Sequence, residues 1–352
     1  MRKKISKLIL LTLIFGFTTP IRTHAAEEGE SAGFSVRKIT PEGQEVNPAS
    51  SFYDLKVAPG QKLTIQAELA NHSAASSRIM QAAYASSTND NGEIDYSNPL
   101  NEADQDESMV IPFSTIATLK EDSPLVLKPG ERKTITMDIQ VPDDAVDGVI
   151  LGSWYFEKEN DQPETEDSGS GIAIDNHFAY ALAVKLTVNQ EIASPNLNFL
   201  GAAPELRNQA IKAQIQNDQP AVVSNLSLEG TVTRKGEDEI LSNSQIDNRI
   251  MAPNSNFFVT FPLEAQEWKA GEYTLRVDAT TTDDKWNDQS WTWAEDFSIT
   301  PQQIRELKEA ENDHAKSAPN QNYLIAAAVV LAILAGVGIY LYKKTGKKRV
   351  SK

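Results

Sequence analysis

The sequence predicts an all-β protein: two tandem immunoglobulin-like β-sandwiches, then a short spacer helix and one transmembrane helix. Three observations carry that expectation. Apolar and polar residues alternate at period two in several separate runs, as half-buried antiparallel strands require. Turn-forming pairs, Pro59-Gly60 and Pro129-Gly130, stand just before two of those runs. Long helical periodicity is missing from the middle of the chain, whereas Tyr323–Tyr342 is apolar and free of charge throughout.

At the N-terminus Arg2, Lys3, Lys4 and Lys7 precede an apolar run from Leu8 to Phe17. Thr23-His24-Ala25 then supplies a small-x-small pattern ahead of Glu27. This is the order of a secretory signal over residues 1–25, cleaved after Ala25. A membrane anchor needs about 20 apolar residues, and Pro20 and Arg22 end this run well short of that.

The first sandwich is expected over residues 33–190. Leu63, Ile65, Ala67 and Leu69 share one face of a strand, and Ile135, Met137, Ile139 and Val141 share one face of another. Val149–Phe156 reads as a strand that is apolar almost throughout. An acidic segment rich in Pro, Ser and Gly, Glu157–Gly171, follows as a loop. Phe178, Tyr180, Leu182, Val184, Leu186 and Val188 then resume the alternation. Asn91-Gly92 reads as a tight hairpin turn, because both residues tolerate positive φ. The rival reading, a calcium loop over Asn89–Asp95, places Ser87 and Asn98 where its first and last ligands belong.

Ser194-Pro195-Asn196 marks a joint, and a second sandwich is expected over residues 191–300. Its strands are read at Ile211–Ile215, Leu226–Val232, Phe257–Leu263, Tyr273–Val277 and Trp291–Ile299. Thr300, Pro301 and Gln303 carry a capping pattern that opens a charged helical spacer over residues 301–322. The transmembrane helix covers residues 323–342, whose length at about 1.5 Å per residue matches the hydrocarbon layer. Six basic residues fill the tail 343–352 and keep it cytoplasmic, so the bulk of the chain faces outward. Ser317-Ala318-Pro319-Asn320 stands where a Leu-Pro-x-Thr-Gly sorting signal would lie, so the anchor is expected to stay in the membrane.

Set apart from the signal and the tail, the exported part holds 22 basic and all 49 acidic residues, a net charge of −27. That field opposes binding to nucleic acid and to anionic lipid. It serves plain solubility or favours a basic partner. Cysteine is absent, so the exported part relies on its apolar cores and has no thiol chemistry. His72, His177 and His314 are its only histidines. They stand in no HExxH motif, and no Gly-x-Ser-x-Gly elbow or phosphate loop occurs. No catalytic residue, cofactor or metal is therefore assigned.

Five aromatic residues remain as candidate ligand-binding positions: Trp154, Tyr155, Trp286, Trp291 and Trp293. Such rings stack on sugars or anchor a protein partner. Core packing competes with that role, above all for Trp154 and for one of the pair Trp291 and Trp293, which share a strand face. Trp286 lies in the polar turn Asp283–Gln289 and is expected to be the most exposed.

Several motifs, taken in order, resemble the WxL-interacting protein family. They include Phe34-Ser35-Val36, Tyr53-Asp54-Leu55-Lys56-Val57-x-Pro59-Gly60-Gln61 and Asn91-Gly92-x-Ile94-x-Tyr96. Val141-Pro142 with Asp147-Gly148-Val149-Ile150-Leu151-Gly152, Gly271-x-Tyr273-Thr274-Leu275 and Trp291-x-Trp293 with Phe297-Ser298-Ile299-Thr300 continue the match. The resemblance implies a surface protein of single-membrane bacteria, with a peptidoglycan-binding first domain and a host-binding second domain. It implies work alongside WxL-domain proteins and brings no catalytic residues.

The reading is a non-enzymatic cell-surface scaffold. Its expected partners are WxL-domain surface proteins, peptidoglycan, host extracellular-matrix proteins and the membrane, with no nucleic acid. The alternatives are a stand-alone host-matrix adhesin and a cell-wall-modifying hydrolase whose triad assembles only in space.

Overall fold

A computed structural model describes residues 32–41, 43, 46–159, 177–192, 194–205, 208–263 and 268–306. The expected signal, most of the acidic segment, the spacer beyond residue 306, the membrane span and the tail lie outside the described residues. Among the described residues no helix is long and apolar enough to cross a membrane.

The N-terminal half is built from β1 (Phe34–Ile39), β2 (Tyr53–Val57), β3 (Lys62–Asn71), β4 (Ser77–Ala85), β5 (Ser87–Thr88) and β6 (Ile94–Asp95). After one helical turn, α1 (Phe113–Ile116), it continues with β7 (Ala117–Leu119), β8 (Leu125–Leu127), β9 (Arg132–Gln140), β10 (Gly148–Lys158) and β11 (Ala179–Val188). One sheet runs β1-β3-β9-β7 and the facing sheet β2-β11-β10-β4-β8, while β5 and β6 form a separate hairpin. The two alternating runs that look alike in sequence are neighbours. β3 pairs antiparallel with β9, setting Leu63 against Ile139, Ile65 against Met137 and Ala67 against Ile135. Each run starts after a Pro-Gly turn, closed by N–H of Gln61 to the Ala58 carbonyl (3.1 Å) and N–H of Glu131 to that of Lys128 (3.0 Å). The alternating faces of both sheets close over Tyr53, Leu69, Trp154, Phe156 and Leu186, all fully buried.

The C-terminal half holds β12 (Leu197–Glu205), β13 (Ala210–Asn217), β14 (Val223–Arg234), β15 (Ile240–Met251), β16 (Ser255–Pro262), β17 (Gly271–Thr281) and β18 (Gln289–Ile299). Its sheets run β12-β13-β16 and β15-β14-β17-β18, the three-plus-four division of an immunoglobulin-like sandwich. Tyr273, near the start of β17, donates its hydroxyl to the Lys269 carbonyl at 2.6 Å, a tyrosine corner. At the end of β18, N–H of Gln303 reaches Thr300 Oγ1 (3.2 Å), and Gln303 Oε1 accepts N–H of Thr300 (2.8 Å). That is the capping box the sequence announced, and residues 301–306 are helical.

Two of these strands carry no alternation strong enough to be read from sequence. β15 is an edge strand with little burial, and its register against β14 shifts three times. β12, also at an edge, bulges between Phe199 and Gly201.

In each sandwich a strand that leads across to the facing sheet, β3 in the first and β13 in the second, ends on a buried asparagine used in the same way. Asn71 Nδ2 donates to the carbonyls of Ala75 (2.8 Å), Leu127 and Lys128, while its Oδ1 accepts N–H of Ser73. Asn217 Nδ2 donates to the carbonyls of Ala221 (2.7 Å) and Ala252 (2.9 Å), and its Oδ1 accepts N–H of Gln219. One amide thus satisfies backbone groups where the chain leaves one sheet for the other. Alanine at either position strands those groups and is expected to cost about 1–3 kcal/mol, read as a lower urea midpoint. Alanine at exposed Asn101 leaves the midpoint in place.

Candidate functional site

The end of the first sandwich meets the second through the β5–β6 hairpin, the loop before α1 and the start of β10. Thr88, on the β5 strand, is buried with its Oγ1 2.6 Å from Ser255 Oγ, and it accepts N–H of Ala252 at 3.0 Å. The β5–β6 hairpin turns at Asn91-Gly92 as expected, though only Gly92 takes a positive φ, 67°, and Asn89 Oδ1 accepts N–H of Asn91 and of Glu93. Asp90, at its tip, pairs with Lys212 Nζ (3.0 Å), and the Gly92 carbonyl accepts N–H of Ile250 (2.9 Å).

Asp106 forms a second tie. It lies in the loop before α1, and its carboxylate accepts Nε2–H of Gln216 (2.9 Å) and Nδ2–H of Asn256 (2.6 Å) from β13 and β16. Ser108 donates to it from its own loop. Burial pushes the Asp106 carboxyl up, but the hydrogen bonds from Asn256, Ser108 and Gln216 outweigh this and hold it below the usual range. A third tie runs from N–H of Val149 to the Pro220 carbonyl at 2.7 Å. Beside it Val149, Leu151 and Ala252 form a small apolar cluster with Ile94, Tyr96 and Val222. Gly148, at φ 134°, has no room for a side chain, because a Cβ there would stand 2.5 Å from Pro220 Cγ.

These ties leave a cleft of ≈ 240 Å³ between the halves, lined by Met109, Val110, Phe113, Val146, Val149 and Pro220 among others. Its lining comes from four separate stretches of chain, and the sequence motifs mark only one of them, Asp147–Gly152.

The five aromatic positions part company. Trp154 is fully buried on β10, its Nε1–H donated to Gln81 Oε1 at 3.1 Å. Its ring is closed to any ligand: the inward side of β10 faces the core, and the indole N–H finds its acceptor there. Tyr155, one residue on, faces outward. Its ring lies 5.1 Å from that of Tyr84 on β4, a partner sequence reading did not single out. Burial first, then the Glu157 charge and hydrogen bond, push the Tyr155 hydroxyl up to about 12, so it stays protonated and faces Glu157 Oε2 at 3.3 Å. The flanking residues Ala82 and Ala181 are small, which leaves the two rings standing above the sheet.

Trp286, read from its polar turn as the most exposed of the five, is half-buried, as are Tyr155, Trp291 and Trp293. Its Nε1–H reaches back to the Ile192 carbonyl at 3.3 Å, and Lys285 Nζ lies 4.5 Å above its ring. Trp286 therefore ties the β17–β18 turn to the segment joining the halves. Trp291 and Trp293 share a half-buried face of β18, and Trp293 stacks on Phe199 of β12 at 6.0 Å. Trp291, Trp293 and Phe199 all pack against the core of the second sandwich, on the side of β18 that carries buried Phe297 and Ile299, whereas Tyr155 belongs to the first sandwich.

The model for the WxL Interacting Protein, peptidoglycan binding domain, matches residues 34–158, and that for its host binding domain matches residues 169–309. Fold and family model together define a two-part surface-binding protein. The chain belongs to the WxL-interacting protein family. The second match begins ahead of β11, the strand that completes the larger sheet of the first sandwich. No curated protein matches the chain. Among solved structures it is similar to the YadV chaperone, at 11% identity over 75% of this chain and 100% of that one, with a TM-score of 0.30. The Escherichia coli chaperone DraB is similar at 12% identity over 76% and 97%, with a TM-score of 0.27. The class 5 fimbriae chaperone CfaA stands at 10% over 74% and 98%, with 0.30. The likeness is distant.

Because the folded pKa of Asp106 lies below its unfolded value, the tie it makes is fully present above the ordinary carboxylate range near about pH 4. It is lost as pH falls through the lower folded value. Amide hydrogen exchange across 214–217 and 255–258 is expected to quicken there. The Asp106→Asn chain, which sets an amide against two amide donors, should exchange faster at neutral pH and lose that acid-dependent step.

Proposed function

We propose that this protein is a non-enzymatic scaffold and adhesion protein of the cell surface. Residues 33–190 hold peptidoglycan, and residues 191–300 engage a WxL-domain protein or host extracellular matrix. The signal over residues 1–25 exports the chain, the helix 323–342 keeps it in the membrane, and the basic tail 343–352 stays inside. The match of both halves to binding domains of one family carries this reading. One outward aromatic group supports it: Tyr84 with Tyr155 suits stacking on wall sugars.

The soluble fragment 26–322 is expected to sediment with insoluble cell wall, alone or with a WxL-domain protein. If it stays in the supernatant under both conditions, the scaffold reading fails. Tyr84→Ala with Tyr155→Ala should weaken wall binding by about 2 kcal/mol, roughly thirtyfold, as loss of an aromatic anchor does. The same pair should leave capture of the WxL-domain protein intact.

A stop codon at Tyr323 is expected to shift the protein from the membrane fraction to the medium. Retention of the shortened chain in membranes would remove the proposed anchor.

A further inference from the structure

Val110 and Val146 are 84% and 69% exposed, and both stand at the mouth of the cleft between the halves. Its floor, formed by Met109, Phe113, Val149 and Leu151, is buried and apolar. Bare apolar side chains around a preformed recess mark a contact surface. At ≈ 240 Å³ the recess falls below the roughly 300–1,000 Å³ of small-molecule sites, a size that suits one inserted side chain. A glycan needs open aromatic faces, and the one aromatic in the lining, Phe113, is fully buried.

The lining holds one charged residue, Asp218, and no Lys or Arg, and the chain stretches that supply the lining are acidic. The stretches 104–113, 142–151, 218–220 and 253–254 contain Asp104, Asp106, Glu107, Asp143, Asp144, Asp147 and Asp218, and no Lys or Arg. Asp106 is spent on the junction, while Asp104, Glu107, Asp143 and Asp144 are exposed. An apolar recess with an acidic rim selects an apolar group accompanied by positive charge.

We propose that this cleft receives a segment of another protein, inserting one apolar side chain flanked by Lys or Arg. The proposal rests on the reading that the chain works by holding a neighbouring surface protein. It assigns that contact to the seam between the sandwiches, a place neither half can form alone.

The test pans a random dodecapeptide library against the full chain in detergent micelles and titrates the selected peptides, labelled, by fluorescence polarisation. The selected peptides should carry an apolar residue beside Lys or Arg. Val110→Ser with Val146→Ser should weaken them at least ~10-fold by removing apolar contact. Glu107→Gln with Asp144→Asn should weaken them several-fold, and so should raised salt. These four residues are exposed, and an unchanged thermal midpoint confirms that each variant folds. Peptides without that pattern, or binding unmoved by the serine pair, overturn the proposal. So does a dimer in light scattering that the serine pair splits, since the occupant would then be a second copy of this chain. If the peptides behave as stated while sedimentation with cell wall fails, the cleft stands and the scaffold reading falls. If sedimentation succeeds while the serine pair leaves peptide binding unchanged, the cleft proposal alone falls.

Discussion

Asp106 is buried between two sandwiches, and its neighbours there are the neutral amides of Gln216 and Asn256 rather than a cation. A carboxylate removed from water is costly unless donors replace its hydration, and here they come from two different strands of the other half. The charge is comfortable in one relative placement of the sandwiches and not in others. Thr88 with Ser255, and Val149 with Pro220, impose the same condition through buried hydrogen bonds. The position of the cleft, and of everything on its rim, follows from that constraint.

The cores are of ordinary kind, and the chain has no disulfide to brace them. What replaces covalent bracing is a repeated local device. Asn71 ends β3 and Asn217 ends β13, and each gathers backbone groups that the crossing between sheets would otherwise leave bare. Tyr273 does similar work at the opposite corner of the second sandwich. These polar side chains are buried because they are fully hydrogen-bonded, the condition on which an interior tolerates them.

The aromatic residues divide according to partners far away in sequence. Trp154 and Tyr155 are adjacent, so the pleat sends one inward and the other outward. Sequence alone says that they part, and cannot say which face is covered. Trp286 sits in a turn whose composition promises exposure, yet the Ile192 carbonyl draws its indole inward across 94 residues of chain. Tyr84 gains its place beside Tyr155 only through the β4–β10 pairing.

By itself the sequence determined what short-range physics governs. Period-two alternation located the buried strands, Pro-Gly and Asn-Gly placed turns, and Thr300 with Gln303 started a helix, because each depends on residues a few positions apart. It also announced the family through motifs kept in order. Edge strands such as β15 escaped, since a strand open on one side need not alternate. The junction and its cleft were decided by tertiary structure alone. Their members lie as far apart as Asp106 and Asn256, and only the packing of one sandwich on the other gives such residues a common environment.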